Sequence, residues 1–175
     1  MANDANDPIT LFITWTAYGS WLPGDARGWK KWKRGEQQPQ PLLEDWCKDR
    51  MKEDAVLLDE QHRESVEAVI RKHSQIRGWE LHAVSVRSNH VHVVVTVVPK
   101  TGNNDYRAAD GIKRVRDELK ANATRVVRRC ENPIANAKVW TKGGDIQFVD
   151  TDDDLEQVMI YVLEAQDRME RDKWG

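Results

Sequence analysis

Two histidines and one tyrosine are the residues whose types and spacing can do chemistry. His90 and His92 stand two apart in the stretch SNHVHVVVTVV, residues 88–98, in which seven of eleven residues are valine or threonine. Side chains alternate across a strand, so His90, His92, Val94, Thr96 and Val98 share one face, and Val91, Val93, Val95 and Val97 share the other. Two imidazoles at i and i+2 on one face can chelate a single cation. The plainer alternative is two polar residues at the open end of a hairpin. Tyr161 is one of three tyrosines. It falls to the side of an apolar stripe, Leu155, Val158, Met159, Val162 and Leu163, that recurs at helical spacing. From there a phenol can reach a site at a helix–sheet junction, or simply pack by its ring at the boundary. Tyr18 adjoins the loop glycine Gly19, and Tyr106 sits in a polar connection, so neither has a rigid element to aim it.

The elements that must position these residues follow from the same patterning. ITLFITWTAY, residues 9–18, reads as a strand. Asp59 caps a helix in which Val66, Val69, Ile70 and His73 recur at helical spacing. WELHAVSVR, residues 79–87, is a second strand, and Ser88-Asn89 turns it into the histidine strand. If that turn has two residues, Ser85 pairs with His92 and Arg87 with His90, while His82 falls on the valine side as a core histidine. A basic helix spans residues 112–130. A glycine turn then precedes a short strand within KVWTKGGDIQFV, and Thr151 with Asp154 starts the tyrosine helix as a capping-box-like pair. The order β-α-β-β-α-β-α predicts a ferredoxin-like (RRM-like) α/β fold: a four-stranded antiparallel sheet, its hairpin strands central, with an added C-terminal helix near the histidines.

Length bounds the rest. The 175 residues form one domain, with a polar, frayed start over residues 1–8 and a Trp- and Pro-rich loop insertion over residues 19–58. Cys47 and Cys130 fit no zinc or redox spacing, and no secretory signal or membrane-length apolar run occurs, so the expected compartment is the cytoplasm. The net charge of -2 excludes a uniformly basic nucleic-acid binder. The charge is unevenly spread, however: eight Lys/Arg against three acids lie between Arg107 and Arg129. Five of the eight tryptophans lie between Trp15 and Trp46.

The sequence resembles the single-tyrosine HUH transposases, and within them the REP-associated tyrosine transposase branch (IS200-like). FITWTAYGSWLPGDARGW resembles that branch's opening, SNHVHVVV its metal strand and LKANATRVVRR its basic helix. VWTKGGDIQFV followed by YVLEAQ resembles its end. The matches occur in order from about Ile9 to Gln166. The resemblance implies that His90 and His92 hold Mg²⁺ or Mn²⁺, and that Tyr161 attacks phosphorus to give a 5′-phosphotyrosine intermediate. It implies single-stranded DNA with imperfect palindromic hairpins as the partner, for a monomer or a homodimer, and no membrane. Relatives often carry a third ligand, commonly Gln, four residues after the tyrosine. Here that position is Ala165, and the third-ligand candidate is Gln166, five residues on, with Glu164, three residues on, as the alternative. On an ideal helix Gln166 lies about 140° from Tyr161, so the two converge only if the helix distorts or the tyrosine comes from another protomer.

DNA contacts are expected from Lys113, Arg114, Lys120, Arg125 and Arg128, with Lys120 and Arg125 favoured because they lie in the family-like segment. Trp21 and Trp29 of the insertion can stack unpaired bases, and Trp15 is core. Two other functions remain open: a domesticated hairpin-binding regulator, and an RNA-binding ferredoxin-like module. The RNA module would need aromatics on the open face of the central strands, and the histidine strand has none there.

Overall fold

The computed structural model describes residues 7–31, 35–98, 100–101, 104–106 and 109–165. In chain order the elements are β1 (Ile9–Thr16), β2 (Trp29–Lys31), β3 (Gly35–Gln37), α1 (Pro41–Asp49), α2 (Glu60–Arg77), β4 (Glu80–Val86), β5 (His90–Val97), β6 (Lys100–Thr101), β7 (Asn104–Asp105), α3 (Ala109–Val127), β8 (Asp145–Phe148) and α4 (Asp152–Ile160). A π-helical turn over Tyr161–Ala165 continues α4. Four strands form one antiparallel sheet in the order β4-β5-β1-β8. This is the expected ferredoxin-like arrangement with one helix added.

The two faces of β5 differ as its alternation dictates. Val91, Val93, Val95 and Val97 are fully buried together with Leu11, Ile13 and Trp15 of β1. Val66 and Ile70 of α2 and Val115, Leu119, Ala123 and Val127 of α3 close this core from the same side. Each such side chain contributes roughly 1.5–3 kcal/mol by leaving water. α2 begins where expected: the Asp59 carboxylate accepts from the His62 N–H, and the His62 ring accepts from the Asp59 N–H. Gly78 ends it at φ 69, a left-handed cap that glycine adopts without strain.

The opposite face is covered by α4 and the π turn. Ala83, Val94 and Val162 are buried there, with Phe12, Leu155, Val158 and Met159 packed around them. Thr151 starts α4, its hydroxyl accepting from the Asp154 N–H.

Four expectations need correction. β4 is an edge strand, because it pairs only with β5 while β1, between β5 and β8, takes the second central position. The insertion is not mere loop: it folds a small β2–β3 hairpin and the nine-residue α1, started by Pro41 at the first turn. His82 is not on the valine side. The β4–β5 register slips between Leu81 and Ala83, and the extra residue turns His82 toward Thr96, whose hydroxyl lies 2.6 Å from His82 Nε2. Tyr106 lies in the connection after β7 but is firmly held there, its ring buried edge-on against Trp79 and its hydroxyl donating to Glu118. Of the polar start, residues 1–6 lie outside the described residues.

Candidate active site

His90 and His92 lie on the same face of β5, their ring centroids 4.8 Å apart. The hairpin register is the expected one at this end: Ser85 faces His92, and the Arg87 N–H bonds the His90 carbonyl. Each imidazole is held through Nδ1. His90 Nδ1 lies 2.7 Å from Asn89 Oδ1, and His92 Nδ1 lies 2.8 Å from Thr14 Oγ1. An Nδ1–H donated to such oxygens leaves the ring lone pair on Nε2, the tautomer a metal-ligating histidine needs. Thr14 is directly opposite His92, and Thr16 opposite His90, on β1. Sequence reasoning missed Thr14 and Asn89. The alternation of Thr10, Thr14 and Thr16 along strand β1 was the available signal.

Tyr161 comes to the same sheet face from the end of α4. Its ring centroid is 5.8 Å from that of His92 and 6.2 Å from that of Phe12, both edge-on. It is 42% exposed, while its neighbour Val162 is fully buried in the small core beneath the helix. Tyr106, in contrast, is buried, and burial beside Glu118 pushes its phenol above the usual tyrosine range. Tyr161 sits where the helix type changes. α4 ends at Ile160, and the turn from Tyr161 to Ala165 is π-helical. There the i→i+5 pattern stacks residues five apart instead of four, an irregularity frequent at functional sites.

Among the described residues no group of three His, Cys, Asp or Glu could hold a metal ion, so the exposed Glu164 is not gathered with the histidines. Gln166 lies outside the described residues. The RNA-module alternative loses its platform here: Phe12 is an aromatic on this face of a central strand, but it packs with α4, tilted against the His92 ring and edge-on to Tyr161.

The basic helix is not brought to this face. α3 packs beside α2 on the valine side of the sheet. Lys113, Arg114 and Arg125 are exposed there, with Arg125 bonded to Asn122. Arg128 donates to the Asn136 and Ala137 carbonyls. Lys120 donates to the Thr141 and Gly143 carbonyls at 2.8 and 2.7 Å. Burial, reinforced by the Arg116 charge, pushes the Lys120 ammonium down to about 8, against the pull of Asp117. Trp21 is half-exposed on the insertion, and Trp29 lies in β2 with its side chain outside what is described.

The family model "Transposase IS200 like" matches residues 47–165. This is most of the chain, including the histidine strand, the basic helix and the tyrosine turn, and the protein belongs to that family of transposases. The fold is similar to the crystal structure of a transposase candidate from Deinococcus radiodurans R1, with TM-score 0.51 and 11% identity over 93% of this chain and 94% of that one. A REP-associated tyrosine transposase bound to a REP hairpin is also similar, with TM-score 0.43 and 15% identity over 88% of this chain and 64% of that one. None of the curated proteins matches. No helix among the described residues is long and apolar enough to cross a membrane.

Proposed function

We propose that this transposase cuts and rejoins single-stranded DNA beside hairpins, in a metal-dependent reaction that passes through a 5′-phosphotyrosine. The observation that carries the reading is the convergence of His90, His92 and Tyr161 on one sheet face, in a chain of the IS200-like family. The Tyr161 oxygen attacks phosphorus. The bond from phosphorus to the 3′-oxygen breaks, and the departing strand takes a proton to become a free 3′-hydroxyl. The 5′ end stays on Tyr161 as a phosphodiester, so a second 3′-hydroxyl can attack it and restore the phenol without external energy. A bound Mg²⁺ or Mn²⁺ would supply Lewis acidity, neutralising charge that develops on the phosphate oxygens.

The residues fit such an ion. Two imidazoles present Nε2 from one rigid strand, oriented by Asn89 and Thr14. Substrate phosphate and water complete a shell of this kind for hard divalent cations. We propose Gln166, five residues after Tyr161 in the sequence, as the third protein ligand. Incubating the protein with a single-stranded hairpin oligonucleotide tests the reading. A covalent adduct should form with Mn²⁺ or Mg²⁺ and none with chelator. Cleavage that persists undiminished in chelator, or that leaves no adduct, would refute it.

A further inference from the structure

A cavity of about 900 Å³ lies between the insertion and the β1–β8 edge of the sheet. Thr14 and Thr16 of β1 form one wall, Gly143 to Asp145 another, and Trp21 and Arg27 face them from the insertion. Thr14 is the residue that holds His92, and Thr16 is paired with His90. The cavity therefore adjoins the candidate catalytic face.

Its outer wall is built at a cost. Trp21 has φ 59 and is the one non-glycine with positive φ among the described residues. A bulky residue in that region is strained, and strain of this kind persists only where the surroundings impose it. They do so here. The Trp21 indole N–H donates to the Gly28 carbonyl at 2.6 Å, and the Arg27 guanidinium lies 4.3 Å from the centre of the indole ring. Arg27 in turn donates through Nε and Nη2 to both oxygens of the buried Asp25, at 2.8 and 2.7 Å. That pairing holds the Asp25 carboxyl below its ordinary range. Glycine would relieve the strain at position 21 but would leave no ring.

We propose that this cavity receives one unpaired base of the DNA strand on which the Tyr161 site acts, stacked against the Trp21–Arg27 pair. The proposal rests on the strand-transferase reading above and adds where, and by which residues, the strand is read. Asp25 offsets the Arg27 charge, so the pair offers a locked flat surface more than a phosphate-seeking cation. Every base has a π-face to lay on such a surface, and a guanidinium plane adds to the stacking. The shared Thr14 wall places the base close to the scissile phosphate in the strand.

A double-mutant cycle tests the proposal. The probes are hairpin oligonucleotides with a single-stranded flank, each carrying an abasic site at one flank position. The protein variants are Trp21→Gly, which suits φ 59 while deleting the ring, and Arg27→Lys, which keeps the charge but loses the plane and the bidentate pairing. In the parent, one flank position should weaken binding about tenfold when abasic. In Trp21→Gly that position should become silent, with folding retained and the salt dependence of binding unchanged. Arg27→Lys should lose part of the same coupling. If all abasic positions act equally in parent and variants, or none acts in the parent, the pocket does not read a base, while the strand-transferase reading stands. If the parent binds no hairpin oligonucleotide at all, both readings fall.

Discussion

The two faces of β5 belong to one strand, yet they do opposite work. The valine face is sealed by α2 and α3, and no polar side chain of β5 interrupts it. The histidine face is only partly covered by α4 and the π turn, and it carries a polar ladder of Thr14, His92, His90 and Asn89. A period of two lets a single segment anchor the fold with its odd-numbered residues and present chemistry with its even-numbered ones. The rigidity of the buried face is what allows two imidazoles to be aimed by a strand instead of by a loop.

The contrast can be broken from either side. Val93→Asp should cost about 4 kcal/mol or more, because it buries an unpaired carboxylate, and should leave no cooperative unfolding transition by circular dichroism. His92→Ala, one residue away, should unfold near the parent's urea midpoint and bind hairpin DNA nearly as the parent does, yet lose cleavage by about a thousandfold. Equal loss of stability in the two variants would dissolve the distinction between the faces. Thr14→Val keeps shape but removes the oxygen that orients His92. It should weaken Mn²⁺ affinity by roughly ten- to a hundredfold, measured by electron paramagnetic resonance, with little change in melting.

A smaller effect concerns Lys120, on the side away from the histidines. Its folded value of about 8 lies below the ordinary 10.5, so the unfolded chain binds more protons between these values. Stability should therefore rise as pH increases from about 8 toward 10.5, and urea midpoints of Lys120→Met should lack that rise. The same variant separates a loop tether from a phosphate contact. A tether to the Thr141 and Gly143 carbonyls leaves the salt dependence of hairpin binding unchanged. A phosphate contact would lower its log–log slope by about 1.

The sequence made the sheet, its register at His90 and His92, and the position of Tyr161 beside an apolar stripe legible, because each rests on a local period. What it concealed depends on irregularity or on distant partners. The bulge that turns His82 toward Thr96 breaks the period on which its assignment relied. The π turn at Tyr161 is a departure from 100° per residue that no spacing rule signals. The insertion read as loop because its prolines, glycines and charges mask two three-residue strands and a short helix. That Lys120 is turned inward to carbonyls, and Trp21 locked by Arg27 and Asp25, could be known only once the glycine turn and the insertion were folded against the sheet.

The most direct test lies at the tyrosine. Phenylalanine keeps the ring that packs on Phe12 and His92 and removes only the oxygen. Tyr161→Phe should fold, bind Mn²⁺ and bind hairpin DNA as the parent does, yet form no covalent adduct with a single-stranded hairpin substrate. The parent's adduct should map by peptide mass to Tyr161 through a 5′-phosphate. An adduct of full strength in Tyr161→Phe, or one that maps to Tyr18 or Tyr106, would contradict the assignment of Tyr161 as the nucleophile.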